Sequence, residues 1–242
     1  MYWYFYEWYY TIMNSITINI FVKFWDMEYI IATTIYLLKG TYVTISLYLI
    51  TALFSVPLSI VLAALQFSAP KFIKYLFDVY TWLFRGTPLI LQLIFFYYGI
   101  PLITNNKIAL PAFTSAAITF IINYASYLIE IFRAGIESID KGQYEAAYAL
   151  NLNYRQIMTR IILPQAIRKV LPPLSNEAIS LIKDTSLVIV LGIGDLMLYA
   201  RQILTRDFKL IPFVIAGIIY LVFTFIVVAI FRNLEKKYVI RS

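Results

Sequence analysis

The sequence predicts an all-α integral membrane protein, with five transmembrane helices behind an N-terminal interfacial segment. Three observations predict it. Hydrophobic residues make up 62 % of the 242 positions and charged residues 14 %, where a soluble domain holds about half and a quarter. Five stretches approach the roughly 20 apolar residues that cross a bilayer. Lysine and arginine also divide unevenly between the segments joining those stretches, as they do in membrane proteins.

Taken in order, the first span covers about 42–65. The second lies at about 87–104, after a partly amphipathic approach from Tyr75. The third covers about 111–132, the fourth 174–192 and the fifth 211–231. Ahead of them, residues 8–25 are apolar and aromatic but broken by Asn14, Ser15 and Asn19. Residues 28–39 place Ile30, Ile31, Thr34, Leu37 and Leu38 at helical spacing. Tyrosine and tryptophan favour the headgroup zone, so 1–41 reads as an interfacial elbow, with a sixth span at 8–25 as the rival. The chain then divides into this elbow, a membrane domain over 42–232 and a tail over 233–242.

One side of the membrane receives Lys71, Lys74, Arg85, the six basic residues of 133–173, Arg232 and the three of the tail, 13 of the 20 lysines and arginines. The opposite side holds 6, and Lys183 falls inside the fourth span. The positive-inside rule puts the tail and the 133–173 loop in the cytoplasm and the N-terminus outside. The net charge of +7 is thus a matter of topology, and no nucleic-acid partner is expected. Residues 1–10 lack a basic leader region, so no secretory signal peptide is expected. With neither cysteine nor histidine in the chain, disulfides, thiolate or zincin metal sites and Ser–His or Cys–His pairs are excluded. No G-x-x-x-x-G-K-[ST] run is present, so ATP is not held by a phosphate loop of this chain.

About 40 residues separate the third and fourth spans, too many for a bare turn. Asp140 and Gln143 have capping-box spacing, with Glu145 expected in the first turn of a short helix. Ala146, Ala147, Ala149 and Leu150 give it a small apolar face, and Asn151 suits a left-handed end. Asn153 is placed to cap a second helix bearing Ile157, Ile161 and Ile162, which Pro164 ends or kinks. Either the pair docks a partner or it lies on the membrane surface or the chain's own spans; architecture leaves both open.

The run from Glu145-Ala-Ala to Asn151 and on through Ile161-Ile-Leu-Pro164 resembles the EAA loop of ATP-binding-cassette importer permeases. The stretches YLLKGTYVTI (36–45), FRGTPLILQLIFFYYGIP (84–101), EIFRAGIESIDKGQYEAA (130–147) and PQAIRKVLPPLSNEAISLIKDTSL (164–187) resemble the polar amino-acid permeases among them. The likeness covers about 28–232. It departs at Asn151, where the family has glycine, and Asn is the next-best residue for a left-handed turn.

The resemblance implies a type I importer permease fold in a multi-pass protein of the cytoplasmic membrane. Its loop would supply a coupling helix docked on a separate ATPase, with Gln143, Glu145, Ala146, Ala147, Leu150 and Asn151 as the coupling residues. ATP and magnesium would be bound by two such ATPase subunits, and this chain would hold no cofactor or metal and catalyse no reaction. Its other partners would be a second permease subunit and an extracellular or periplasmic amino-acid-binding protein.

Charged groups inside a span are costly and mark a pathway or a partner. At 100° per residue, Asn176, Ser180 and Lys183 form one stripe of the fourth span, and Glu177, Ser180 and Asp184 an adjoining one. A zwitterionic amino acid needs such a mixture, with Thr185 and Ser186 adding hydroxyls. The plainer alternative is that Lys183 and Asp184 only pair with neighbouring helices or sit near the interface. If Glu177 faces the ligand, a cationic amino acid fits better than an acidic one. Arg85 and Arg133 read as anchors of span ends at the cytoplasmic surface, with bracing of the loop as a second role, and Glu130 as the i,i+3 partner of Arg133. Rival classes are a stand-alone ion-coupled transporter and a membrane enzyme using a Ser180–Lys183 pair.

Overall fold

A computed structural model describes residues 27–239, and they are helical almost throughout, with no strand among them. Helix α1 runs Met27–Ser68, α2 Lys71–Gly86 and α3 Leu89–Ile103. Helix α4 is Ala112–Glu137 and α5 Lys141–Ala149. Helix α6 is the continuous run Tyr154–Leu191, followed by α7, Leu196–Asp207, and α8, Ile211–Val239. Helices α1, α4 and α8 are each long and apolar enough to cross a membrane. The pairs α2–α3 and α6–α7, bent by 102° and 57°, bring the total to five if each pair is one span.

Residues 27–41 continue into the first span without a break, so nothing in the backbone separates an elbow from a span at 41/42. At 1.5 Å per residue the 42-residue α1 is about 63 Å long, twice a hydrocarbon core, so part of it projects beyond the bilayer. The possible span at 8–25 lies outside the described residues.

Two helices pass through prolines by the same device. A proline lacks the N–H that would bond four residues back, and its ring crowds that carbonyl. In α3 a π-turn over Phe95–Gly99 precedes Pro101, and in α6 a π-turn over Met158–Ile162 precedes Pro164. The wider turn absorbs the misfit. Pro164 therefore neither ends the second loop helix nor separates it from the fourth span; the two are one helix from Tyr154 onwards.

Helix α6 narrows into a 3₁₀ turn over Thr185–Leu191 and stops at Gly192, whose φ of +70° suits a residue without Cβ. Asp195, fully buried, then caps α7 by accepting from Met197 and Leu198 N–H. Gly40 of α1 lies against this turn: a methyl there would meet the Asp195 backbone at 2.6 Å, so only glycine permits the approach.

The apolar core falls into three clusters in sequence along the bundle. Leu37 of α1 packs with Leu196, Ala200 and Ile203 of α7 and Ile211 and Ile215 of α8. Leu47, one stretch further along α1, packs with Leu93, Ala116, Phe120, Leu181 and Val188. Beyond the end of α4, Ile139 packs with Ala147, Ile157, Ile162 and Ala166. Helices α1 and α4 share the most intimate contact. Buried small side chains such as Thr51, Ser55 and Ser59 on one and Ser115, Ala116 and Thr119 on the other let the backbones approach, as membrane helices require.

Candidate functional site

The bend between α2 and α3 builds one wall of a cavity. Pro88 cannot donate to the Phe84 carbonyl four residues back, which leaves that acceptor open inside the bundle. Two buried amides fill the gap. Gln92 Nε2 donates to the Phe84 carbonyl at 2.9 Å, and Asn123 Nδ2 of α4 donates to the same oxygen at 3.0 Å. Gln92 Nε2 also lies at 2.8 Å from Thr87 Oγ1, and its own Oε1 accepts from Asn123 at 3.0 Å. The bend is thereby fixed to α4, and the residues of the turn, Arg85-Gly86-Thr87-Pro88, face the cavity.

That cavity has a volume of about 590 Å³. Arg85 and Thr87 line it from the bend, Asn123, Tyr124 and Tyr127 from α4, and Glu177, Ser180 and Asp184 from α6. The Tyr124 hydroxyl donates to Asp184 Oδ2 at 2.7 Å, joining the two helices. Arg85 spreads over the Tyr127 ring at 5.5 Å and stands 3.8 Å from Glu130. A second cavity of about 480 Å³ shares Arg85, Tyr127 and Glu177 with the first and continues past Glu130 to Ser138 and Lys169. The wall thus mixes one guanidinium with two carboxylates, hydroxyls and an amide, the complement of a small zwitterion. Among the described residues no group of three or more carboxylates is placed to hold a metal ion.

The six α6 residues expected at the site fall into three places. Glu177, Ser180 and Asp184 share the cavity wall. Asn176 and Lys183 are exposed on another flank of α6 and do not line it. Thr185 is fully buried, its hydroxyl donating to the Ile182 carbonyl at 2.6 Å. The cation on the cavity wall is therefore Arg85, read from the sequence as an anchor. The pairing of Glu130 with Arg133 is present at 2.6 Å, and Arg133 also binds Glu137 at 2.9 Å. Asn123, Tyr124 and Tyr127 carried no sequence signal beyond a polar or hydroxylated residue at 123, 124 and 127, the 3–4 spacing of one helix face.

The second feature is the loop helix α5. Asp140 caps it by accepting from Gly142 N–H at 2.6 Å, without the reciprocal bond from Gln143 that a capping box requires. Gln143 Oε1 instead accepts from Gln165 at 3.4 Å. Glu145 stands in the second turn rather than the first. The capping box is at the start of α6, where Asn153 and Gln156 exchange bonds at 3.0 Å. Asn151 takes the left-handed conformation with φ +57°, and Leu152 N–H donates back to the Ala147 carbonyl. Ala147 is 1 % exposed and packs on Ile139, Ile157, Ile162 and Ala166. It seats α5 on α6, so its side chain is turned away from the exposed face of α5, although the resemblance counts it among the coupling residues. Gln143, Glu145, Ala146, Ala149 and Leu150 are exposed, Leu150 at 74 %.

Comparison with known proteins adds four findings. Residues 55–240 match the family model described as the binding-protein-dependent transport system inner membrane component. The chain is 38 % identical to the arginine transport system permease protein ArtQ of Bacillus subtilis (strain 168), covering 84 % of this chain and 92 % of that one. It is 34 % identical to a putative glutamine transport system permease protein GlnP of Rickettsia bellii, covering 85 % and 94 %. Among solved structures, a crystal structure of an amino acid ABC transporter with histidines superposes with a TM-score of 0.80 at 32 % identity, over 88 % of this chain and 98 % of that one.

Proposed function

The chain belongs to the family of binding-protein-dependent transport system inner membrane components, and from that premise we propose that it is the translocating subunit of an ATP-driven importer of cationic amino acids. The observation that carries the substrate is the mixed-charge cavity. An α-carboxylate is a match for the bidentate fork of Arg85. Glu177 and Asp184 then remain, one for the ammonium group and one for a positive side chain. An acidic amino acid would leave both carboxylates facing its own. Relatives named for arginine and for glutamine support an amino acid as cargo.

The motor is external. In this reading two ATPase subunits bind ATP and magnesium, and each docks on the exposed side of an α5, against Glu145, Ala146, Ala149 and Leu150. The small alanines permit close approach, and Glu145 offers a carboxylate to a basic rim. A second permease subunit, related by a two-fold axis, completes the pathway that one bundle cannot enclose. A binding protein on the far side of the membrane delivers the amino acid. The tail and α5 lie in the cytoplasm, as the lysine and arginine distribution supports.

Uptake by the reconstituted complex tests this. Arginine and lysine are transported in preference to glutamate and aspartate. Glu177→Gln lowers uptake of the cationic substrates about 10- to 100-fold, the scale of one lost charge-assisted hydrogen bond. A preference for glutamate or aspartate would overturn the substrate assignment.

A further inference from the structure

Arg85 is loosely held. Its NH1 stands 3.8 Å from Glu130 Oε2, longer than a hydrogen bond, and that same oxygen already accepts from Arg133 NH2 at 2.6 Å. Among the described residues Arg85 makes no hydrogen bond; it also lies over the Tyr127 ring and within electrostatic reach of Glu177 across the cavity. The side chain is 45 % exposed and lines both cavities, so it sits where they meet. Glu130, by contrast, is well satisfied: its side chain is 17 % exposed and keeps Arg133 whatever Arg85 does. Moving Arg85 away would not strand a buried carboxylate, which is the usual obstacle to breaking such a pair.

We propose that Glu130 regulates the site by competing with the substrate carboxylate for Arg85, so that the guanidinium turns to Glu130 when the cavity is empty and to the amino acid when it is filled. This rests on the reading of the cavity as an amino-acid site. The competitor is anchored toward the coupling loop. Glu130, Arg133 and Glu137 occupy one face of α4 at i, i+3 and i+7, joined by the 2.6 Å and 2.9 Å pairs. Glu137 is three residues from Asp140, the cap of α5. A shift of α5 against the end of α4 therefore moves the chain that sets how firmly Glu130 draws Arg85.

The test measures direct binding to the assembled permease–ATPase complex in nanodiscs, without the binding protein. The probes are L-arginine and L-argininamide, which share a side chain and differ in the carboxylate. Arg85→Gln weakens arginine binding about 10- to 100-fold and leaves the amide within about 3-fold, as expected for loss of a bidentate charged pair. Glu130→Gln tightens arginine binding about 2- to 5-fold, the range of a partly exposed ion pair, without tightening the amide. Glu130→Ala changes binding in the same direction. In the Arg85→Gln background, Glu130→Gln has no effect. Tightening that persists there, or that is equal for acid and amide, would overturn the competition. If Arg85→Gln acts as stated while Glu130→Gln changes nothing, the competition alone falls. Failure of the wild-type complex to bind arginine would remove the substrate reading with it.

Discussion

At the scale of single residues, the site is organised by one carbonyl. Pro88 leaves the Phe84 oxygen without its helical donor, and Gln92 and Asn123 both turn to it. These two amides are 7 % and 4 % exposed, so neither bond is exchanged for water without disturbing the bend. Gln92→Ala or Asn123→Ala should each destabilise the subunit by about 1–3 kcal/mol, the cost of leaving a buried polar group short of a partner. Gln92→Ala should cost more, because it also removes the bond to Thr87. Thermal unfolding in detergent, read by tryptophan fluorescence, checks the order; equal midpoints for wild type and Gln92→Ala would show that the bend is held some other way. Residue identity alone made part of this site legible. Glu177, Ser180 and Asp184 follow from the 100° step of one helix. That step cannot say which of two adjoining stripes faces inward, and so Asn176 and Lys183 were grouped with them. Arg85 escaped because a basic residue near a span end satisfies the anchoring pattern equally well, and only the α2–α3 bend turns it into the cavity.

At the scale of elements, the spans most legible from sequence are those set by uninterrupted apolar character. Helices α4 and α8 begin within a residue of their expected starts and run on by several residues at their ends. Where proline intervenes, local rules misled. Pro164 is expected to end or kink the second loop helix, yet α6 continues beyond it, because a π-turn over Met158–Ile162 takes up the lost N–H; the same helix also runs through Pro172 and Pro173. Helix α7 was not foreseen, although Asp195 ahead of an apolar run is an ordinary cap signal. In the loop, Asn153 was read correctly as a cap, while the inward turn of Ala147 is a tertiary fact that composition could not supply. This divides the effects of substitution in α5. Ala147→Leu overpacks the α5–α6 seat, with a cost of about 1–3 kcal/mol in stability. Glu145→Lys leaves the fold intact and removes the stimulation of ATP hydrolysis by the loaded binding protein. Stimulated hydrolysis that is unchanged in Glu145→Lys would exclude Glu145 from coupling.

At the scale of the whole molecule, the site and the loop are joined by α4 and α6. Helix α4 supplies the cavity wall at Asn123, Tyr124 and Tyr127 and ends at the cap of α5. Helix α6 begins at the loop and carries Glu177, Ser180 and Asp184 through the same stretch of bundle. A rigid shift of α5 therefore acts on both walls at once, which is how force from outside the membrane would open or close the cavity. Since the chain contains no cysteine, a single introduced thiol reports without interference. The most direct measurement is crosslinking of Ala146→Cys in membranes of cells that contain the whole transporter. A maleimide–benzophenone reagent attached to that thiol should, on irradiation, join this subunit to its ATPase in a yield that changes when ATP binds, and the thiol should react only with reagents that reach the cytoplasm. Labelling of that thiol from outside the cell, or crosslinks only to lipid-embedded segments, would contradict the transmission of force through α5.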